Sequence, residues 1–160
     1  MKTSHYKLAE QLGQCLLARK LKCTVAESCT GGMLAASITE IPGSSQWFDR
    51  AFITYSNRAK NEMLSIAETI INTQGAVSEA TAQAMAEGAL AHSHADLSAA
   101  ITGIAGPDGG CAAKPVGTVW IAWAGLMPTA AQHYLFVGDR LKIRHLAVCE
   151  ALKGMIKRLL

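Results

Sequence analysis

Apolar residues at Leu8, Leu12, Cys15 and Leu16 recur at helical spacing, which predicts an amphipathic helix over about residues 5 to 20. A β-prone segment around Val25 follows at once. From Gly32 the run Met33-Leu34-Ala35-Ala36-Ser37-Ile38 is helical in propensity, and Ile41-Pro42-Gly43 ends it, because proline disfavours helix in its predecessor and glycine permits the turn. A strand is expected from about Ala51 to Ser56, then a helix through Met63 and Leu64 with Asn57 as its cap. A short helix around Glu68 to Thr73 ends near Gly75, and Ser78 caps an alanine-dominated helix from Glu79 to His92. Leu97 to Thr102, Val116 to Ala124 and Gln132 to Val137 read as strands. Asp139 is the natural N-cap of a closing helix with a broad apolar face through Ile143, Ala147, Ala151 and Met155 and through Val148, Leu152 and Ile156.

This alternation predicts one α/β domain over residues 1 to 160, a three-layer α/β/α sandwich around a mixed, mainly parallel sheet of about five strands. Some antiparallel pairing is expected because the last two strands have a short connection. With 50% hydrophobic and 17% charged residues, the composition is that of a globular chain with a sizeable core. The net charge of +3 is mild, and the basic residues near the C-terminus are spaced through an apolar-patterned helix, so no nucleic-acid surface is expected. The opening residues lack the apolar run of a secretory signal, and Val116 to Met127 is well short of the roughly 20 residues that span a bilayer. A cytoplasmic protein with no membrane partner is the expectation. Five cysteines without a C-x-x-C pair argue against a disulfide framework and a structural zinc site, and His92 and His94 lack helical metal-ligand spacing.

Candidate chemistry concentrates in Thr24-Val25-Ala26-Glu27-Ser28-Cys29-Thr30-Gly31-Gly32, where a strand runs into hydroxyl residues and glycines before a helix. Such a junction leaves backbone N–H groups free at a helix N-terminus, where negative charge is favoured. Ser28 stands where those donors can hold an oxyanion, and a helix cap is its plainer reading. A second junction carries Tyr55 at a strand end and Lys60 in the first turn of a helix. Lysine activates a serine only if burial keeps it neutral; otherwise Lys60 is an exposed side chain on an amphipathic helix. Glu27 and Asp108 are candidate site carboxylates with equally good capping or turn readings. The loop Gly103-Ile104-Ala105-Gly106-Pro107-Asp108-Gly109-Gly110 suits close approach to a phosphate or ribose, yet neither G-x-G-x-x-G nor a Walker motif is present, nor is the G-x-S-x-G elbow.

Ala26-Glu27-Ser28-Cys29-Thr30-Gly31-Gly32, Phe52-Ile53-Thr54-Tyr55-Ser56-Asn57, Gly75-Ala76-Val77-Ser78, Thr102 to Gly110 and Lys114-Pro115-Val116-Gly117-Thr118-Val119 together resemble, in order and spacing over essentially the whole chain, the CinA carboxy-terminal domain family. That family includes stand-alone bacterial nicotinamide mononucleotide amidohydrolases, also called nicotinamide-nucleotide deamidases, which lack the amino-terminal domain of the longer CinA proteins. The resemblance implies hydrolysis of the nicotinamide carboxamide to nicotinate mononucleotide and ammonia in pyridine-nucleotide recycling, with no metal, no cofactor and a homo-oligomeric state. It implies Ser28 as nucleophile, Lys60 as base and Tyr55 beside both. Thr30 with the amides around Gly31 and Gly32 would form the oxyanion hole. Thr102, Gly103 and Gly106 would line the nucleotide pocket, and Arg140 is the candidate for the phosphate because a guanidinium meets phosphate with two hydrogen bonds. Thr102 replaces an expected serine, and Cys111-Ala112-Ala113 is less polar than the family pattern. Two alternatives remain: Cys29 as nucleophile, and a non-catalytic nucleotide-binding or regulatory module.

Overall fold

The computed structural model describes all residues, Met1–Leu160. Helix α1 (Ser4–Arg19) is capped by the Thr3 hydroxyl and leads through left-handed Lys20 into β1 (Cys23–Glu27). Helix α2 (Met33–Thr39) and a single 3-10 turn (Ser44–Gln46) precede β2 (Phe48–Ile53). Helices α3 (Asn57–Leu64), α4 (Glu68–Gln74) and α5 (Glu79–Ala91) then run to β3 (Leu97–Gly103). The hairpin β4 (Thr118–Gly125) and β5 (Met127–Leu135) and the long helix α6 (Arg140–Leu159) close the chain.

The sheet order is β2-β1-β3-β4-β5. β1 pairs in parallel with β2 and β3, while β3–β4 and β4–β5 are antiparallel, so β4 alone runs against the other four strands. This is the expected mixed α/β sandwich. Alternation along the strands sorts the core into two layers of different texture. Val25, Leu97, Ile101, Val119, Ile121 and Trp123 face α1, α2 and α6, with Leu12, Leu16, Ile143, Leu152 and Met155 among their neighbours. Ala26, Ala100, Ala122 and Ala124 face the opposite way, toward α5 with its Ala82, Ala86 and Ala89. Small side chains on both sides of that seam let the helix lie close to the sheet.

Three boundaries depart from the sequence reading. The second strand begins at Phe48 and ends at Ile53, so Tyr55 and Ser56 lie in the connection beyond it. Ser56, not Asn57, caps α3, its hydroxyl accepting from the Ala59 amide at 3.0 Å, because Ser56 has the extended backbone a cap requires and Asn57 is already helical. The last strand starts at Met127 rather than Gln132, because Gly125 and Leu126 both adopt positive φ and reverse the chain at once. Pro128 is tolerated there because β5 is an edge strand.

β1, β2 and β3 run parallel, so their carboxyl ends meet at one edge of the sheet, where ligands of open α/β sheets bind. Ser28, Thr54-Tyr55 and Thr102-Gly103 are delivered to that edge by the three strands. No helix is long and apolar enough to cross a membrane.

Candidate active site

β1 is buried throughout, and the chain leaves it at Ser28 with the Ser28 amide still donating to the Ile101 carbonyl of β3 at 3.0 Å. The serine is therefore fixed to the sheet, and it is not a cap. Residue Gly32 stands at the N-cap of α2 with no side-chain bond. The first free amides of α2 are taken instead by Glu27, whose fully buried carboxylate accepts from Leu34 N at 2.9 Å and Ala35 N at 3.0 Å. A buried carboxylate is tolerated because two amides at the positive end of a helix meet it. Glu27 thus holds the turn rather than the chemistry, and Asp108 is exposed in its loop.

Lys60 is placed by the cap at Ser56, which starts α3 so that the side chain points back under the sheet edge. It is 1% exposed. Its Nζ lies 3.0 Å from Ser28 Oγ, 2.9 Å from the Thr54 carbonyl and 3.1 Å from the Tyr55 carbonyl. Burial pushes its pKa below the ordinary 10.5, and no carboxylate offsets that. Two carbonyls accept two N–H bonds, and the third nitrogen valence faces the serine. In a neutral amine that valence is the lone pair.

The Ser28 hydroxyl has its own alternative partner in the Tyr55 carbonyl at 3.4 Å. Tyr55 therefore meets the pair through its main chain. Its phenol is turned outward, where its oxygen accepts from Arg140 Nη2 at 3.2 Å. Arg140 Nη1 donates to the Gly106 carbonyl at 2.7 Å, so Arg140 ties the glycine loop to Tyr55 across the rim.

Ser28, Cys29, Tyr55, Asn57, Lys60, Ala76, Val77, Thr102 and Gly103 surround a cavity of about 220 Å³. Thr102 is held by a 2.8 Å bond from its hydroxyl to the Ala76 carbonyl. Gly106 and Arg140 stand outside this lining, as do Thr30, Gly31 and Gly32. The turn after Ser28 has an internal bond from the Gly31 amide to the Ser28 carbonyl at 3.0 Å, while the amides of Thr30 and Gly32 donate to no protein acceptor. Thr30 Oγ1 is buried without a partner.

Asn57, Ala76, Val77 and Arg144 escaped the sequence reading as site residues. Arg144 Nε donates to the Cys29 carbonyl and Nη2 to the Thr30 carbonyl, both at 3.1 Å. Because a trans peptide points its N–H opposite its C=O, drawing the Cys29 carbonyl toward Arg144 directs the Thr30 amide away from it. Nothing in the helical pattern of α6 marks this arginine; the signal is its contact with a loop 114 residues earlier. Cys29 packs in the larger core layer, and burial pushes its thiol up to about 11.

The site is thus a buried serine–lysine pair beside unpaired turn amides, at the carboxyl edge of the parallel strands of an α/β sandwich. The chain belongs to the CinA C-terminal domain family, whose model matches residues 5–159. It is 48% identical over 155 residues to the nicotinamide-nucleotide amidohydrolase PncC of Escherichia coli strain K12, covering 96% of this chain and 94% of that protein. It is 45% identical over 150 residues to the PncC of Pseudomonas putida, covering 94% of each. A CinA-like protein of Syntrophotalea carbinolica is 48% identical over 148 residues, and there the chain spans only 36% of the relative's length. Among solved structures, the competence/damage inducible protein CihA from Agrobacterium tumefaciens superposes with a TM-score of 0.96 at 40% identity, over 99% of this chain and 97% of that one.

Proposed function

We propose that this protein hydrolyses the carboxamide of nicotinamide mononucleotide to nicotinate mononucleotide and ammonia through a Ser28 acyl-enzyme, as a step in pyridine-nucleotide recycling. The near full-length relatives named nicotinamide-nucleotide amidohydrolase support the substrate. The observation that carries the mechanism is the 3.0 Å approach of a buried, carboxylate-free Lys60 to Ser28 Oγ.

Neutral Lys60 takes the proton of Ser28 as the hydroxyl attacks the carboxamide carbon, and the resulting ammonium passes that proton to the departing amine, which leaves as ammonia. Water then attacks the acyl-enzyme with Lys60 again as base, releasing the carboxylate and restoring Ser28. The Thr54 and Tyr55 carbonyls hold Nζ in place in both protonation states. The amides of Thr30 and Gly32, with the Thr30 hydroxyl, supply donors for the tetrahedral oxyanion, and the Gly31 amide acts one step removed by closing the turn.

A cavity of about 220 Å³ is below the roughly 300–1,000 Å³ of ordinary ligand sites. It suits the pyridine carboxamide, with the ribose and phosphate extending to the rim formed by Thr102, Gly103, Gly106 and Arg140. Arg140 is the phosphate ligand in this reading. Cys29 is set aside as nucleophile because Lys60 Nζ is bonded to Ser28 Oγ rather than to the thiol, which packs in the core layer.

The test is ammonia release from nicotinamide mononucleotide at neutral pH, with a chelator present, by the wild type beside Ser28→Ala. Release by the wild type alone is expected. No release by either, from protein with an unchanged melting temperature that the nucleotide raises, would favour a binding or regulatory module instead.

A further inference from the structure

Where the start of α1 meets the first half of α6, Cys149 belongs to a cluster that the amide chemistry does not use. Ser4 Oγ lies 3.6 Å from Cys149 Sγ. His5, only 7% exposed, faces the same thiol and stacks on His145 with ring centroids 4.5 Å apart. Its Nε2 is 3.0 Å from the His145 carbonyl and 3.2 Å from His145 Nδ1. Ser4, His5, Lys142, His145 and Cys149 line a cavity of about 330 Å³, with Asp139, Leu141 and Leu146 completing it. The thiol thus opens into a space bounded by two imidazoles, the Lys142 cation and the Asp139 carboxylate.

We propose that Cys149 is a modification site that forms mixed disulfides with anionic low-molecular-weight disulfides. Its thiolate attacks one sulfur of the incoming disulfide. The Cys149–sulfur bond forms as the original S–S bond breaks, and the other half leaves as a thiolate that takes up the proton lost by Cys149. The exchange is redox-neutral overall.

The surroundings support the ionised thiol from each packed element. Burial alone would raise its pKa, but His5 and Ser4 from α1 and Lys153 from α6 outweigh this and bring it below the usual thiol value. The thiol in turn favours the His5 imidazolium, as does Glu40 at the end of α2. His145 is held toward its neutral form by burial, His5, Arg144 and Lys142. Lys153 is shared with Glu150 at 2.8 Å, and Asp139 is engaged with the Lys142 amide. Lys142 faces the cavity as a cation for the incoming anion. The buried Cys29, with its thiol pushed up to about 11, is the internal contrast.

The probe is oxidised glutathione, pulsed onto the native wild type, with peptide mapping by mass spectrometry at pH 8, 7 and 6. Cys149 is expected to be modified at least tenfold faster than the exposed Cys111 at pH 7, with a rate that falls less steeply from pH 8 to pH 6 than that of Cys111. His5→Gln should slow modification of Cys149 several-fold and leave Cys111 unchanged. Modification of Cys149 no faster than Cys111, or a pH dependence as steep as that of Cys111, would overturn the proposal, and the wild-type measurement decides this even if the variant does not fold.

Discussion

At the scale of single residues, the site turns on how Lys60 is paired. An ammonium buried with only carbonyls and a hydroxyl for company is disfavoured, so its pKa falls below 10.5 and the free amine is more populated at a given pH than in an exposed lysine. The turnover rate should therefore rise with pH through the lowered pKa and level off above it, as a pH–rate profile would show. Stability carries the same sign. Between the lowered pKa and 10.5 the unfolded chain holds a proton on this lysine that the native state does not, so the contribution of Lys60 to stability grows with pH in that window and is least below it. Lys60→Ala is expected to reduce ammonia release by about 10²–10⁴-fold, the span of a positioned general base. Cys29→Ala should retain most activity while Ser28→Ala retains none.

Among the elements, the short helix α2 depends on a residue outside it. Glu27 satisfies two of its amides from the last position of β1, joining the strand's end to the helix's start beside Ser28. Glu27→Ala would leave those amides buried and unpaired, an expected cost of about 3–6 kcal/mol for two lost charge-assisted bonds, read as a lower midpoint in urea denaturation. On the other face, Gly88 lets α5 and α3 approach so closely that an added Cβ would sit 2.5 Å from the Leu64 carbonyl. Gly88→Ala should destabilise by about 1–3 kcal/mol despite its gain in helix propensity, because backbone must move to admit the methyl. Calorimetry would show the loss.

Across the whole molecule, α6 serves both the core and the site. Its inner face fills the larger core layer, while its first turns send Arg140 to Tyr55 and Gly106 and Arg144 to the Cys29 and Thr30 carbonyls. Two separable effects are expected. Arg140→Ala should raise KM for nicotinamide mononucleotide far more than for its dephosphorylated riboside, with little change in kcat. Arg144→Ala should instead lower kcat by about 10²-fold or more with a small change in KM, because it orients donors used in the transition state. Steady-state kinetics on both substrates would distinguish them.

Patterning along the chain determined the alternation of elements, the caps at Ser78 and Asp139, and the junctions that carry Ser28 and Lys60, because these rest on local periodicity and on side chains bonding their own backbone within a few residues. The register of motifs from Ala26 to Val119 also identified the family. Tertiary structure alone decided that Lys60 is buried, that its nitrogen is gripped by two main-chain carbonyls, and that Glu27 caps a helix while Ser28 does not. It also decided that Arg144 holds the turn beside Ser28. Main-chain carbonyls have no signature in residue type, and burial and long-range contact are set by which strand ends meet at one sheet edge. The physical reason is that a lysine's charge state follows its three-dimensional surroundings, which a one-dimensional pattern does not contain.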